Sequence, residues 1–206
     1  MCIRSARLTL LVLLLAMSIV PASPPATAAA PIVPRVVPAR LAAGPTCTVG
    51  TSGANYTTVQ AAVNDSNCST INIAAGTYNE NVTISRSVIL QGAGAASTIL
   101  DGGRNGRVLN IPAAAAQVQL RDMTIQHGDI QSINTYGSAI FNSGALAISN
   151  SIITDNWTEF SSSSSIYNNG SLTLSSSQVI KNHSQGYVSD IYNDTGTLAI
   201  RDSLLS

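Results

Sequence analysis

The chain has 206 residues, with ten Lys/Arg balanced by ten Asp/Glu and a formal net charge of zero. That length leaves room for one ordinary domain once a targeting segment is removed. The charge balance offers no basic face to neutralise phosphates, which excludes nucleic-acid binding as an expectation. With only 10% charged residues, the surface has to be built from Ser, Thr, Asn and Gln, which is common in solenoids and unusual in globular enzymes.

Residues 1–28 read as a secretory signal peptide. Arg4 and Arg7 form a positive start, Leu8 to Val20 is an apolar run, and Ala26-Thr27-Ala28 offers small residues for cleavage. The run is short of the ~20 residues of a comfortable membrane span, and no second one follows. An uncleaved N-terminal anchor is the alternative. Residues 29–45, rich in Pro and Ala, read as an extended linker. Beyond residue 28 eight basic residues (Arg35, Arg40, Arg86, Arg104, Arg107, Arg121, Lys181, Arg201) face all ten acids. Cys47 and Cys68 are the two cysteines left there. In an oxidising compartment they suggest one disulfide.

Residues 46–69 are expected to form a cap. Tyr56 to Val63 is the one plausible helix, with Thr57 able to cap it and Val59, Ala62 and Val63 on its apolar side. Strands are expected at Thr70–Ala74, Val82–Ser85, Val88–Gln91 and Thr98–Asp101.

Residues 70–206 are expected to be stacked coils, because the sequence repeats. Ile140-Phe141-Asn142, Ile166-Tyr167-Asn168 and Ile191-Tyr192-Asn193 each precede a Leu-x-Ile/Leu pair, at Leu146, Leu172 and Leu198. The last three positions are spaced by 26. Alternating short strands broken by Gly, Asn and Ser cannot bury a face alone, so the coils must stack in parallel. Three inward ladders follow. They are Leu120, Ile148, Leu174, Ile200; then Ile125, Ile153, Val179, Leu205; then Val108, Ile140, Ile166, Ile191. Asn110, Asn142, Asn168 and Asn193 are expected to form a structural ladder of stacked amides at a turn. Asp122, Asn150, Ser176 and Asp202 align as turn residues. The fold class is therefore all-β, a single-stranded right-handed parallel β-helix with a short N-terminal capping helix.

Two residues past the second ladder lie His127, Asp155 and Lys181, one per coil. Side by side, they would make a proton-transfer or sugar-binding cluster, and otherwise a charge ladder worth ~0–1 kcal/mol per pair. Trp157 and His183, in the turn beyond, and Tyr136, in the long connection Gly128 to Gly137, are the aromatic binding candidates. Otherwise they cover the rim of the core. A second long connection holds Ser161 to Ser165. Such connections build groove walls where they have a role.

From Tyr56 to Gly102 the chain resembles the opening of pectin lyase-like β-helix proteins, pectin methylesterases included. The residues are Tyr56-x-Thr58-Val59-Gln60-x-Ala62-Val63, Ala75-Gly76-Thr77-Tyr78-x-Glu80, Leu90-x-Gly92-x-Gly94 and Thr98-Ile99-Leu100-Asp101-Gly102. The later copies resemble repeats of bacterial extracellular β-helix and polymorphic outer-membrane proteins. The resemblance covers about residues 46 to 206 and implies the fold. The methylesterases' Gly-Gln-Asp, Asp-Phe and Gly-Arg-Pro-Trp motifs do not occur in this sequence.

The functional expectation is a secreted or cell-surface β-helix that acts as a non-catalytic adhesive or glycan-binding module. The alternative is a polysaccharide lyase or hydrolase acting on extracellular acidic polysaccharide. No metal or other cofactor is expected, apart from calcium under the lyase alternative. Polysaccharide or a surface glycan is the expected partner, with no transmembrane segment after cleavage and the oligomeric state left open. The last coil ends on Leu204-Leu205-Ser206 without a polar cap, which raises the expectation of a longer β-helix.

Overall fold

The computed structural model describes residues 44–206, except 113, 115, 133–134, 160–163 and 186–189. The expected signal, most of the linker and part of the serine run lie outside the described residues. The described strands fall into four parallel sheets of seven, six, five and three strands. From Thr70 on the coils pass through the seven-, six- and five-stranded sheets in turn, the three-stranded sheet joins from Asp129, and strands pair with their counterparts one coil away.

The seven-stranded sheet runs through Thr46–Val49, Thr70–Ile73, Val88–Gly92, Gln117–Arg121, Ala145–Ser149, Ser171–Ser175 and Thr197–Arg201. Its inward ladder Ile71, Leu90, Leu120, Ile148, Leu174, Ile200 includes the whole expected set. The six-stranded sheet carries Tyr78, Leu100, Ile125, Ile153, Val179 and Leu205 in register. Ile71, Leu90, Leu120, Ile125, Ile148 and Ile153 are fully buried. Burying each side chain contributes ~1.5–3 kcal/mol.

The five-stranded sheet corrects one alignment. Ile140, Ile166 and Ile191 stack as expected, but the rung before them is Leu109 rather than Val108. The shift moves Asn110 out of the amide ladder. It pairs with Phe141, and Ile111 fills the rung below Asn142. Side chains alternate along a strand, so a slip of one residue exchanges inward and outward positions. Asn110 therefore points away from the core and accepts a hydrogen bond from Arg107 Nη1 at 3.2 Å. Asn142, Asn168 and Asn193 do stack. Asn142 Nδ2 donates to Asn168 Oδ1 at 2.7 Å, and Asn168 Nδ2 to Asn193 Oδ1 at 2.6 Å.

The cap forms as one unit. Cys47 and Cys68 are disulfide-bonded, with Cα atoms 5.4 Å apart. The helix α1 spans Val59–Asn64, and its N-cap is Thr58, one residue later than expected. Thr58 has extended backbone and Ala61 N–H donates to its Oγ1 at 3.3 Å. The Glu80 carboxylate accepts from Val59 N–H at 2.7 Å and Gln60 N–H at 2.8 Å, satisfying two of the helix's orphan donors. The strand Gly76–Asn79, which the sequence reading did not separate, brings Glu80 into place. Arg86 closes the other end of α1, donating to the carbonyls of Val63, Ala62 and Asp65. No described helix is long and apolar enough to cross a membrane.

Candidate functional site

From Gln117 onward the coils turn sharp corners at left-handed residues. Asp122, Asn150, Ser176 and Asp202 occupy the first corner with φ of 48–55°. His127, Asp155 and Lys181 occupy the second, each at φ 54°. Short polar side chains tolerate this conformation best because they bond locally, which explains the first set. The second set is therefore a set of corner residues before it is anything else.

Those three side chains are not joined. His127 Nδ1 lies 2.8 Å from Asp101 Oδ2 in the coil before, the one ion-pair contact within 4.0 Å among the described residues. Asp155 accepts from Thr154 Oγ1 at 2.7 Å instead. Asp101, only 8% exposed, also accepts from Gln126 Nε2 at 2.8 Å and Gly103 N–H at 2.8 Å. Burial pushes its carboxyl up, but the bonds from Gln126, Gly103 and His127 outweigh burial and hold it below the usual range. His127 thus bonds to Asp101, which the sequence placed only at a strand end, and not to Asp155 or Lys181.

The aromatic candidates stack along the axis. Trp157 and His183 sit in the three-stranded sheet of Asp129–Ile130, Trp157–Thr158 and His183–Ser184, not in a turn. Their ring centroids are 3.8 Å apart at 19°. Tyr136 stacks on Tyr167 at 4.8 Å, and Tyr167 also faces Phe141 and Tyr192 at 5.3 and 5.7 Å. Arg107 lies over Phe141 at 4.9 Å and donates to the carbonyls of Gly137 and Tyr136. The Tyr167 hydroxyl donates to Asp194 at 2.8 Å. Burial and that bond push it up to about 12. Rings that stack on each other have spent their faces on cohesion, so Tyr136 and Trp157 act first as coil-to-coil staples.

A different surface is better suited to a ligand, and the sequence reading missed it. On the outer side of the seven-stranded sheet, the register lines up Thr48, Asn72, Gln91, Arg121, Ser149, Ser175 and Arg201, one per coil. All seven are half-buried or exposed. At ~4.8 Å per rung the row runs roughly 30 Å. It carries two guanidiniums and no carboxylate. Beside it, Asp122 accepts from Gln91 Nε2 at 2.6 Å, and Arg121 donates to Gln119 Oε1. At its N-terminal end Thr48, Asn72 and Gln91, with the loop Gly50 to Ala54, line a hollow of about 600 Å³. The signal that could have found it is the outward position of each strand, read across coils once the register is known.

Among the described residues no group of three or more His, Cys, Asp or Glu is placed to hold a metal ion. No family model and no curated protein matches the chain. Among solved structures the chain is similar to pectin methylesterase from carrot, with 17% identity and a TM-score of 0.48 over 76% of this chain and 64% of that one. It is also similar to pectin methylesterase PemA from Erwinia chrysanthemi, with 15% identity and a TM-score of 0.47 over 80% of this chain and 67% of that one. The chain thus spans just under two thirds of the carrot protein's length. By its own strand registers the described chain is a parallel β-helix.

Proposed function

We propose that this is an extracellular β-helix that binds polysaccharide along the outer face of its seven-stranded sheet without cleaving it. The observation that carries the reading is the unbroken row Thr48, Asn72, Gln91, Arg121, Ser149, Ser175, Arg201. Hydroxyls, amides and guanidiniums at a constant spacing match an extended, repeating, hydroxyl-rich chain. Arg121 and Arg201 favour an anionic one. The acids nearest the row and the corner are engaged structurally, Asp122 by Gln91 and Asp101 by Gln126, Gly103 and His127.

A second reading, a polysaccharide-active enzyme, is favoured by one contact. A buried carboxylate bonded to one nitrogen of a half-exposed imidazole orients the ring and supports a general base, as Asp101 does for His127. The test is to present pectin, pectate and alginate and follow binding, unsaturated products, reducing ends and released methanol together. Binding without product, weakened in Gln91→Ala and Arg121→Ala, supports the first reading. Turnover that disappears in His127→Ala overturns it.

A further inference from the structure

The chain holds two Asn-Gly pairs, Asn105-Gly106 and Asn169-Gly170, in opposite surroundings. We infer that Asn105 is a site of spontaneous deamidation in the folded protein and that Asn169 is protected. The chemistry needs the backbone nitrogen of the glycine to reach the asparagine side-chain carbonyl carbon. A bond forms from Gly106 N to Asn105 Cγ, and the Cγ–Nδ2 bond breaks. The amide proton of Gly106 leaves with the side-chain nitrogen as ammonia. Water then opens the cyclic imide at either carbonyl, giving aspartate or isoaspartate. No oxidant, reductant or cofactor is required.

At Asn105 the space around the pair is open. Asn105 is exposed. Gly106 sits at φ +94°, and a Cβ built there would meet nothing within 4 Å. Its carbonyl accepts from Asp129 N–H at 2.9 Å, in an isolated bridge, and Asn105 N–H donates to Gly102 O at 3.0 Å. At Asn169 the side chain is equally exposed, but the glycine is wedged between coils. A Cβ on Gly170 would fall 2.1 Å from Gly144 O and 2.9 Å from Gly144 N. The backbone anchors match those at Asn105, with the Gly170 carbonyl accepting from Thr197 N–H at 2.8 Å and Asn169 N–H donating to Asn142 O at 3.0 Å, so the wedge is the difference. Turning the Gly170 nitrogen toward Asn169 would pull apart the turn that the buried amide ladder holds.

The modification has a local consequence. Arg104, Asn105, Gly106, Arg107, Asp129 and Thr135 are among the residues lining a hollow of about 390 Å³. Its charges are Arg104, Arg107 and Asp129, so the new carboxylate takes the lining from net +1 to zero. It arrives in the same lining as Asp129, whose Oδ1 is already buried without a hydrogen-bond partner. Conversion therefore weakens any anion held there and loosens the loop.

The test is to age the intact protein at mildly alkaline pH and map peptides by mass after digestion in acid, with isoaspartate detected by enzymatic methylation. The expected result is a gain of one mass unit and an isoaspartate signal at Asn105, with Asn169 unchanged. In urea both pairs should convert, and Asn105→Gln should abolish the folded-state signal. Conversion of Asn169 in the folded protein at the rate of Asn105 would overturn the inference. So would an intact Asn105 under conditions where the unfolded chain reacts.

Discussion

Replacing Asn168 by Ala tests whether the amide ladder holds the coils together. Asn168 is fully buried and makes four side-chain hydrogen bonds. It accepts from Asn142 Nδ2, and donates to Asn193 Oδ1, Gly170 O and Thr197 O. The two bonds at 2.7 and 2.6 Å are the strong ones, and the bond to Gly170 at 3.4 Å contributes little. Each good bond is worth ~0.5–1.5 kcal/mol net, and a partner left buried and unpaired costs ~1–3 kcal/mol. Asn142, itself fully buried, keeps its bonds to Gly144 O and Ser171 O, which softens the loss. The expected cost is about 3 kcal/mol. Asn193→Ala, at an exposed rung, should cost under about 1 kcal/mol because water replaces the partner. Asn168→Asp should be at least as damaging as the alanine, since a carboxylate cannot donate to the three acceptors. Urea unfolding followed by circular dichroism, with hydrogen exchange at Ser171–Ser175, reads all three. If Asn168→Ala stays within about 0.5 kcal/mol of the parent, or costs no more than Asn193→Ala, the ladder is decoration and the reasoning fails.

Reducing Cys47–Cys68, which closes a 21-residue separation, should cost about 3 kcal/mol and should first raise hydrogen exchange in Thr46–Val49 and α1. Equal loss of protection across all coils would contradict a local cap. Glu80→Ala should cost ~1–2 kcal/mol by freeing the N–H groups of Val59 and Gln60, whereas Glu80→Gln, which keeps one acceptor, should cost less; thermal melts rank the two. Because the Asp101 carboxyl is held low in the fold, its contribution is full above the unfolded value of ~3.9 and is lost as pH falls through the folded value. Asp101→Asn should therefore lower stability near neutrality and flatten the acid limb of a stability profile. Asp190 behaves oppositely. Burial raises its carboxyl despite the Asn182 hydrogen bond, so ionising it penalises the fold as pH rises above ~3.9. Asp190→Asn should raise the melting temperature at neutral pH and leave it unchanged below the unfolded value.

The solenoid was legible because its ladders are long and apolar. Leu146, Leu172 and Leu198 repeat at a fixed spacing, and no other element can bury alternating short strands. Legibility failed where a single residue decides the register. Val108-Leu109 offers two adjacent apolar residues, and either fits a period-2 pattern. The spacer that follows is longer than in later coils, so counting could not choose, and Asn110 was misplaced with it. Sites were harder, for a physical reason. Neighbours on a coiled surface come from different coils, so Thr48 and Asn72 are adjacent while 24 positions apart. Asp101 meets His127 across 26 positions, and only the true register of the six-stranded sheet brings them together. His127, Asp155 and Lys181 follow one another on one edge by register, each at a left-handed corner, and His127 bonds to Asp101 instead of to the other two.

The two corners also decide where this chain tolerates change. From Leu120 to Ile125, Ile148 to Ile153, Leu174 to Val179 and Ile200 to Leu205 the step between the two main ladders is constant. The left-handed corner residue between them leaves no slack. The stretch from Ile130 to Ile140, by contrast, is two residues longer than its counterpart from Thr158 to Ile166, and its ends still meet in register. Insertions placed in that connection, such as an epitope or a second binding loop, should leave the stacking of every strand untouched. One residue added at Asp122 or Asn150 would turn a whole strand inside out.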